Sequence, residues 1–128
     1  MKHDQLSDMF SVIRLAEAIG KKECLIPASK MGKAVLKIMQ THKYISGFDH
    51  IEDGRGGKLK VKLHGNINDC GVIRPRFSVA KDEFIKWEKR FLPAVGIGIL
   101  ILSSPSGIVD QKTAKTKGLG GMLLGYVY

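Results

Sequence analysis

At 128 residues, with 44% hydrophobic residues and only four prolines, the chain has the length of an ordinary domain and the composition of a folded core, not of a disordered segment. Twenty-one Lys and Arg against twelve Asp and Glu give a net charge of +9, which points to an anionic partner, either nucleic acid or a membrane surface. Residues 91–106 are uncharged and apolar but broken by Pro93, Gly96 and Gly98, so they cannot supply the roughly 20-residue apolar helix that crosses a bilayer. No apolar run follows Lys2 and His3 as in a secretory signal, and Cys24 and Cys70 lack CxxC spacing. These features predict a cytoplasmic protein that spans no membrane and keeps its thiols reduced.

In chain order, Leu6, Met9, Phe10 and Ile13 recur at i, i+3, i+4 and i+7, which predicts an amphipathic helix starting near Asp4 and ending at Gly20. Residues 24–26 read as a short strand that stops at Pro27. Ser29 then stands as N-cap of a second helix, with Met31, Val35, Ile38 and Met39 on one stripe and Lys30, Lys33 and Lys37 on another. The N–H groups and dipole at such a helix start also suit an anion. Residues 44–51 and 58–64 read as a hairpin joined by the DGRGG turn of residues 53–57. In its second strand Lys58, Lys60, Lys62 and His64 alternate with Leu59, Val61 and Leu63, which puts the basic groups on one face. A solvated outer face explains such a row better than a phosphate contact does, since a charge row by itself rarely marks a site.

Residues 65–69 make a corner, Val72 and Ile73 a short strand before Pro75, and residues 81–90 a helix ended at Pro93. Phe84, Trp87 and Phe91 stand at helical spacing there and read as inward packing groups, not base-stacking ones. Residues 97–102 and 122–128 are continuous apolar runs of strand length, expected to be buried in a sheet. Between them come the turn Ser103-Ser104-Pro105-Ser106-Gly107 and a short helix carrying Lys112, Lys115 and Lys117, with Asp110 as its cap. The turn Gly118-Leu119-Gly120-Gly121 follows, with Gly118 as the C-terminal cap. No carboxylate follows Asp110, so hydroxyls, ammonium groups and bare backbone N–H groups dominate, and all of these contact phosphate or sugar oxygens.

Patterns for enzymatic chemistry are missing. His3, His42, His50 and His64 are dispersed, with no Cys or carboxylate at ligand spacing, so no metal is expected. Gly96-Ile97-Gly98 lacks the third glycine of a dinucleotide loop and precedes a strand, and no GxxxxGK[ST] occurs. The serines are not in GxSxG and no histidine follows them, so they read as turn formers.

Four blocks together carry a family resemblance: Pro27-Ala28-Ser29-Lys30, FDHIEDGRGGKLKVKLHG, CGVIRPRF, and GILILSSPSG with GLGGMLLGYVY. Over essentially its full length the chain resembles the universal small-subunit ribosomal protein family numbered eight, in its archaeal and eukaryotic cytosolic form. The resemblance implies a two-part α+β fold: N-terminal helices with a short sheet over residues 1–65, and a mainly β part over residues 66–128. It implies a structural constituent of the small ribosomal subunit that binds a helical, internally irregular region of the rRNA central domain and supports assembly and translation. It also implies contact with neighbouring small-subunit proteins, no catalysis, no cofactor and no small-molecule substrate. By match to the motif, Ser103, Ser104 and Gly107 lie in the principal RNA-contact loop, Gly118, Gly120 and Gly121 in the neighbouring turn, and Ser29 and Lys30 in an N-terminal contact region; Ser106, which departs from the motif, is read as a further hydroxyl of that loop. The bacterial loop reads Ser-Thr-Ser-Lys-Gly, so Pro105 and Ser106 here remove a hydroxyl, a backbone donor and a cation. Met122 stands where bacterial members tend to have glutamate.

A-form RNA hides its base edges in a deep, narrow groove, so a protein reads the minor groove, the 2′-hydroxyls or bases freed at bulges. Serine hydroxyls and glycine backbone suit that task, with lysines adding attraction to phosphate. Two other readings share the composition. A basic adaptor would bind protein partners, and a small serine hydrolase would need His42, His50 or His64 beside the SSPSG turn.

Overall fold

The computed structural model describes residues 5–52, 54, 56–73, 77–80, 82–94 and 97–128. Asp4, Asp53, Arg55, Pro75, Lys81 and Gly96, expected at helix starts, turns and strand ends, lie outside the described residues, as does His3. The chain is α+β and divides into two compact units, Met1–Cys70 and Gly71–Tyr128.

The first unit runs α1 (Gln5–Ala18), β1 (Glu23–Pro27), α2 (Lys30–Thr41), β2 (Ile45–Ile51) and β3 (Lys58–Leu63). The three strands form an antiparallel sheet of order β1-β3-β2, with α1 beside β1 and α2 beside β2. Alternation along β3 buries Leu59, Val61 and Leu63 and turns Lys58, Lys60 and Lys62 to the other face. Leu6, Met9, Phe10 and Ile13 of α1 are all buried, as their spacing predicts. The stripe predicted on α2 is rotated by one position. Gly32, Val35, Leu36 and Met39 face the core, whereas Met31 is exposed. At Gly32 a Cβ would lie 2.8 Å from Ser29 Oγ, so the bare glycine leaves room for the capping hydroxyl, and it sits in the core row beside Met9 of α1. Residues 66–70 are tied back to α1. The Ile67 N–H donates to Glu17 Oε2 at 2.8 Å, and Arg14 Nε reaches Asp69 Oδ1 at 2.9 Å.

The second unit adds β4 (Cys70–Val72), β5 (Ser78–Val79), α3 (Phe84–Phe91), β6 (Ile99–Ser104), β7 (Gly107–Asp110), α4 (Gln111–Lys117) and β8 (Gly121–Val127). Its sheet has the order β4-β8-β6-β7, with β5 also on β8. The first four residues of β6 are all buried, which explains their unbroken apolar run. Ile73, Val79, Phe84, Trp87, Leu100, Leu102 and Leu123 form the core cluster. The aromatic spacing of α3 is used inwardly: Phe77, Trp87, Phe91, Tyr126 and Tyr128 form a ladder of stacked rings 4.6–6.2 Å apart. The Arg90 guanidinium lies over the rings of Phe77, Trp87 and Phe91 at 4.9, 5.5 and 5.3 Å. Gln111, buried at the start of α4, accepts from the Leu100 N–H at 2.8 Å and donates to the Gly98 carbonyl at 3.3 Å, which fastens the helix to β6.

Both thiols are inert by environment. Burial, then the Glu17 carboxylate, pushes Cys24 up to about 11, and burial, then Asp69, pushes Cys70 up to about 12, while the Cys70 thiol faces the Phe10 carbonyl at 3.6 Å. Only the thiolate is nucleophilic, and a rise of two pKa units cuts its fraction about a hundredfold. In native protein at pH 8, Cys24 should therefore react with a disulfide reagent about a hundredfold more slowly than free cysteine, with Cys70 slower still. Rates close to free cysteine in a stopped-flow assay would contradict the described environment.

Candidate nucleic-acid interface

The SSPSG segment, expected as a turn, is the tip of a β-hairpin whose second strand is β7. Ser103 pairs with Ile108 and Ser104 with Gly107, leaving Pro105 and Ser106 exposed at the tip. The Ser104 hydroxyl donates to the Gly107 carbonyl at 2.8 Å and accepts from the Ser106 N–H at 3.2 Å. It therefore closes the turn from within. Pro105 adds rigidity through its fixed φ, and Gly107 at φ 115° takes a conformation that suits only glycine.

The second turn lies beside this hairpin because β8 pairs antiparallel with β6, Ser103 standing opposite Met122. Gly118 caps α4 at φ 67°, with open space around its Cα, and Gly120 is half-buried. Gly121 is tighter. A Cβ there would lie 2.3 Å from the Ser103 carbonyl oxygen, so the glycine is required by the approach of two backbones. Met122 is 41% exposed and also opposes Ser78 of β5. Ser78, Met122 and Ser103 thus form a cross-strand row on one face. Ser78 escaped the sequence reading because a two-residue strand has no periodicity to detect.

Ser29 and Lys30 belong to the first unit, whereas Ser103, Ser104, Ser106, Gly107, Gly118, Gly120 and Gly121 belong to the second. Ser29 is the N-cap of α2, its hydroxyl accepting from the Gly32 N–H at 3.0 Å, and Lys30 is exposed in the first turn. Asp110 occupies the N-cap position of α4, but its side chain makes no capping hydrogen bond.

The cations divide sharply. On the outer face of the first sheet, Lys60 meets Glu23 and Lys62 meets Asp49, each at 3.3 Å. His64 Nε2 lies 2.8 Å from the Lys43 carbonyl, where it secures a turn. Such exposed pairs add little stability, but they cancel much of the local field of that row. Lys115 pairs with Glu88, a carboxylate only 2% exposed. Lys112 and Lys117 remain exposed on α4. Among the described residues no cluster of His, Cys, Asp and Glu has the makings of a metal site. His50 Nδ1 lies 3.4 Å from Glu52, and the Ser104 hydroxyl is directed into a carbonyl.

The family model for "Ribosomal protein S8" matches residues 4–128. The chain belongs to this ribosomal protein family. Three similar proteins, each named small ribosomal subunit protein uS8, come from archaea. That of Archaeoglobus fulgidus is 52% identical over 129 residues, all of both chains. That of Methanococcoides burtonii is 49% identical over 98% of this chain and 97% of its own, and that of Methanoregula boonei 52% over 96% and 95%. Membership agrees with the α+β architecture and identifies a structural, non-enzymatic protein. It also separates the chain from the hydrolase reading.

Gly121→Ala should cost about 2 kcal/mol or more in urea unfolding, since β8 would have to move away from β6. Lys115→Met should cost about 2 kcal/mol by leaving the Glu88 carboxylate buried without its cation, while Lys112→Met should be nearly neutral. Equal stabilities of the two lysine variants would contradict the ion pair.

Proposed function

We propose that this chain is a structural constituent of the small ribosomal subunit whose second unit grips rRNA with the β6–β7 hairpin tip and the Gly118–Gly121 turn. The full-length family match supports its place in the cytoplasmic small subunit, among rRNA and neighbouring ribosomal proteins. The observation that carries the site is the β6–β8 pairing, which gathers Ser103, Gly121 and the Ser104–Gly107 tip at one end of one sheet.

Within this surface the serines divide the work. Ser103 and Ser106 offer hydroxyls to 2′-OH groups or freed base edges, while Ser104 holds the turn that presents them. Gly107, Gly118 and Gly120 let a sugar–phosphate backbone come close to the chain. Ser29 and Lys30 supply a separate anion contact at the start of α2, where N–H groups and helix dipole favour phosphate. The RNA is a helical, irregular element of the central domain, as the family resemblance implies.

Titrating a central-domain rRNA fragment and a random duplex in parallel tests the reading. Ser106→Ala should weaken the cognate fragment about three- to tenfold, the scale of one hydrogen bond, and leave the random duplex unchanged. Equal losses on both RNAs would refute base or sugar recognition by this loop. In a salt titration Lys112→Met should lower the slope by about 0.9, one phosphate's worth of counterion release. Lys115→Met should leave the slope unchanged because that ammonium is committed to Glu88.

A further inference from the structure

We propose that the free edge of β1 accepts an extended segment of a neighbouring small-subunit protein as a fourth strand of the first sheet. β1 stands at the end of the order β1-β3-β2, and among the described residues no strand pairs with its outer side. Backbone parity shows which groups face outward. The Leu63 N–H donates to the Lys22 carbonyl at 2.7 Å and the Ala28 N–H to the Gly57 carbonyl at 3.2 Å, so even-numbered residues of this segment bond to β3. Antiparallel pairs alternate, which leaves the N–H and C=O groups of Glu23 and Leu25 directed away from the sheet. Pro27, which has no N–H, ends the edge.

A groove of about 540 Å³ follows this edge and takes its walls from both sides of it. Val12 and Leu15 of α1 and Ile19 just after it line one side, and Leu25, Ile51 and Lys60 line the other. Leu15, Ile19 and Leu25 are 63%, 60% and 52% exposed, and Val12 and Ile51 are exposed too. An added strand alternates its side chains, so one set would meet the α1 wall and the other the Leu25 wall. Soluble proteins guard open edges with charge, bulges or brevity. The opposite edge follows that rule, with a register break between Ile45 and Gly47 and Asp49 along β2. On the β1 edge the exposed side chain between Glu23 and Pro27 is the apolar Leu25.

Charge helps to choose the occupant. Lys21 and Lys60 stand on the rim, and Glu23, the one acid among the lining residues, is engaged by Lys60. The incoming segment is therefore apolar at alternate positions with a carboxylate where it meets Lys21. RNA has no apolar side chains to fill such a groove, and a second copy would bring +9 against +9.

The inference rests on the ribosomal reading for where the partner is found. A benzophenone side chain placed at Leu15 should, in intact small subunits, cross-link to a segment of another ribosomal protein with alternating apolar residues. Leu25→Pro removes the outward N–H together with the leucine side chain and fixes φ, at an edge position where a strand tolerates proline, and should lower that yield about tenfold. Leu25→Ala keeps the N–H and should retain most of it. Thermal unfolding of the isolated chain and its affinity for the rRNA fragment should be unchanged by either substitution, which shows that each variant folds. Cross-links to RNA alone, to a second copy or to nothing would overturn the proposal, as would equal yields from the two Leu25 variants. Failure of the RNA reading would appear separately, as failure of the unmodified chain to bind the rRNA fragment.

Discussion

Where β8 enters the second sheet, its backbone passes so close to the Ser103 carbonyl that a side chain at position 121 has no room. Much of the proposed RNA surface follows from that contact. It fixes where β8 begins, and therefore where the turn after α4 must end. It also holds β6 in line, so that the hairpin leaves the sheet at a defined point. Gln111 and the Lys115–Glu88 pair then anchor α4 from two directions, one to β6 and one to α3. The loops are short extensions of a buried scaffold, the arrangement that gives a surface site its precision.

Periodicity made the main elements legible. The 3.6 repeat of α1, the alternation in β3 and the two apolar runs at 97–102 and 122–128 each reflect burial of one or both faces, and burial is what sequence records best. The strands β5 and β7 were not legible, since short strands borrow their conformation from a neighbour. The core face of α2 differs by one residue from the stripe read in the sequence because Gly32, which lies in the buried row, has no hydrophobicity to count. At the candidate interface the residue types were legible, but their division of labour was not. Ser104 and Ser106 look alike in a sequence, and only hydrogen-bond geometry separates the residue that shapes the turn from one that presents a hydroxyl.

The same distinction applies to charge. The formal +9 counts every lysine equally, yet Lys60, Lys62 and Lys115 each have a carboxylate in contact. The alternating lysines of β3 gave the strongest basic pattern in the sequence, and two of the three are partnered across the sheet. The exposed cations of α4 and of the first turn of α2 are fewer and less conspicuous, but they stand next to groups that bind anions for other reasons.

The hairpin tip is closed by Ser104 and stiffened by Pro105 before any partner arrives. A loop in that condition has little conformational entropy left to lose, so the proposed binding through it would proceed without a folding step. Association would then run at the speed set by diffusion and long-range attraction, with a heat capacity change that reflects only the area covered. During subunit assembly such a protein would act as a ready template, with the RNA making the larger adjustment.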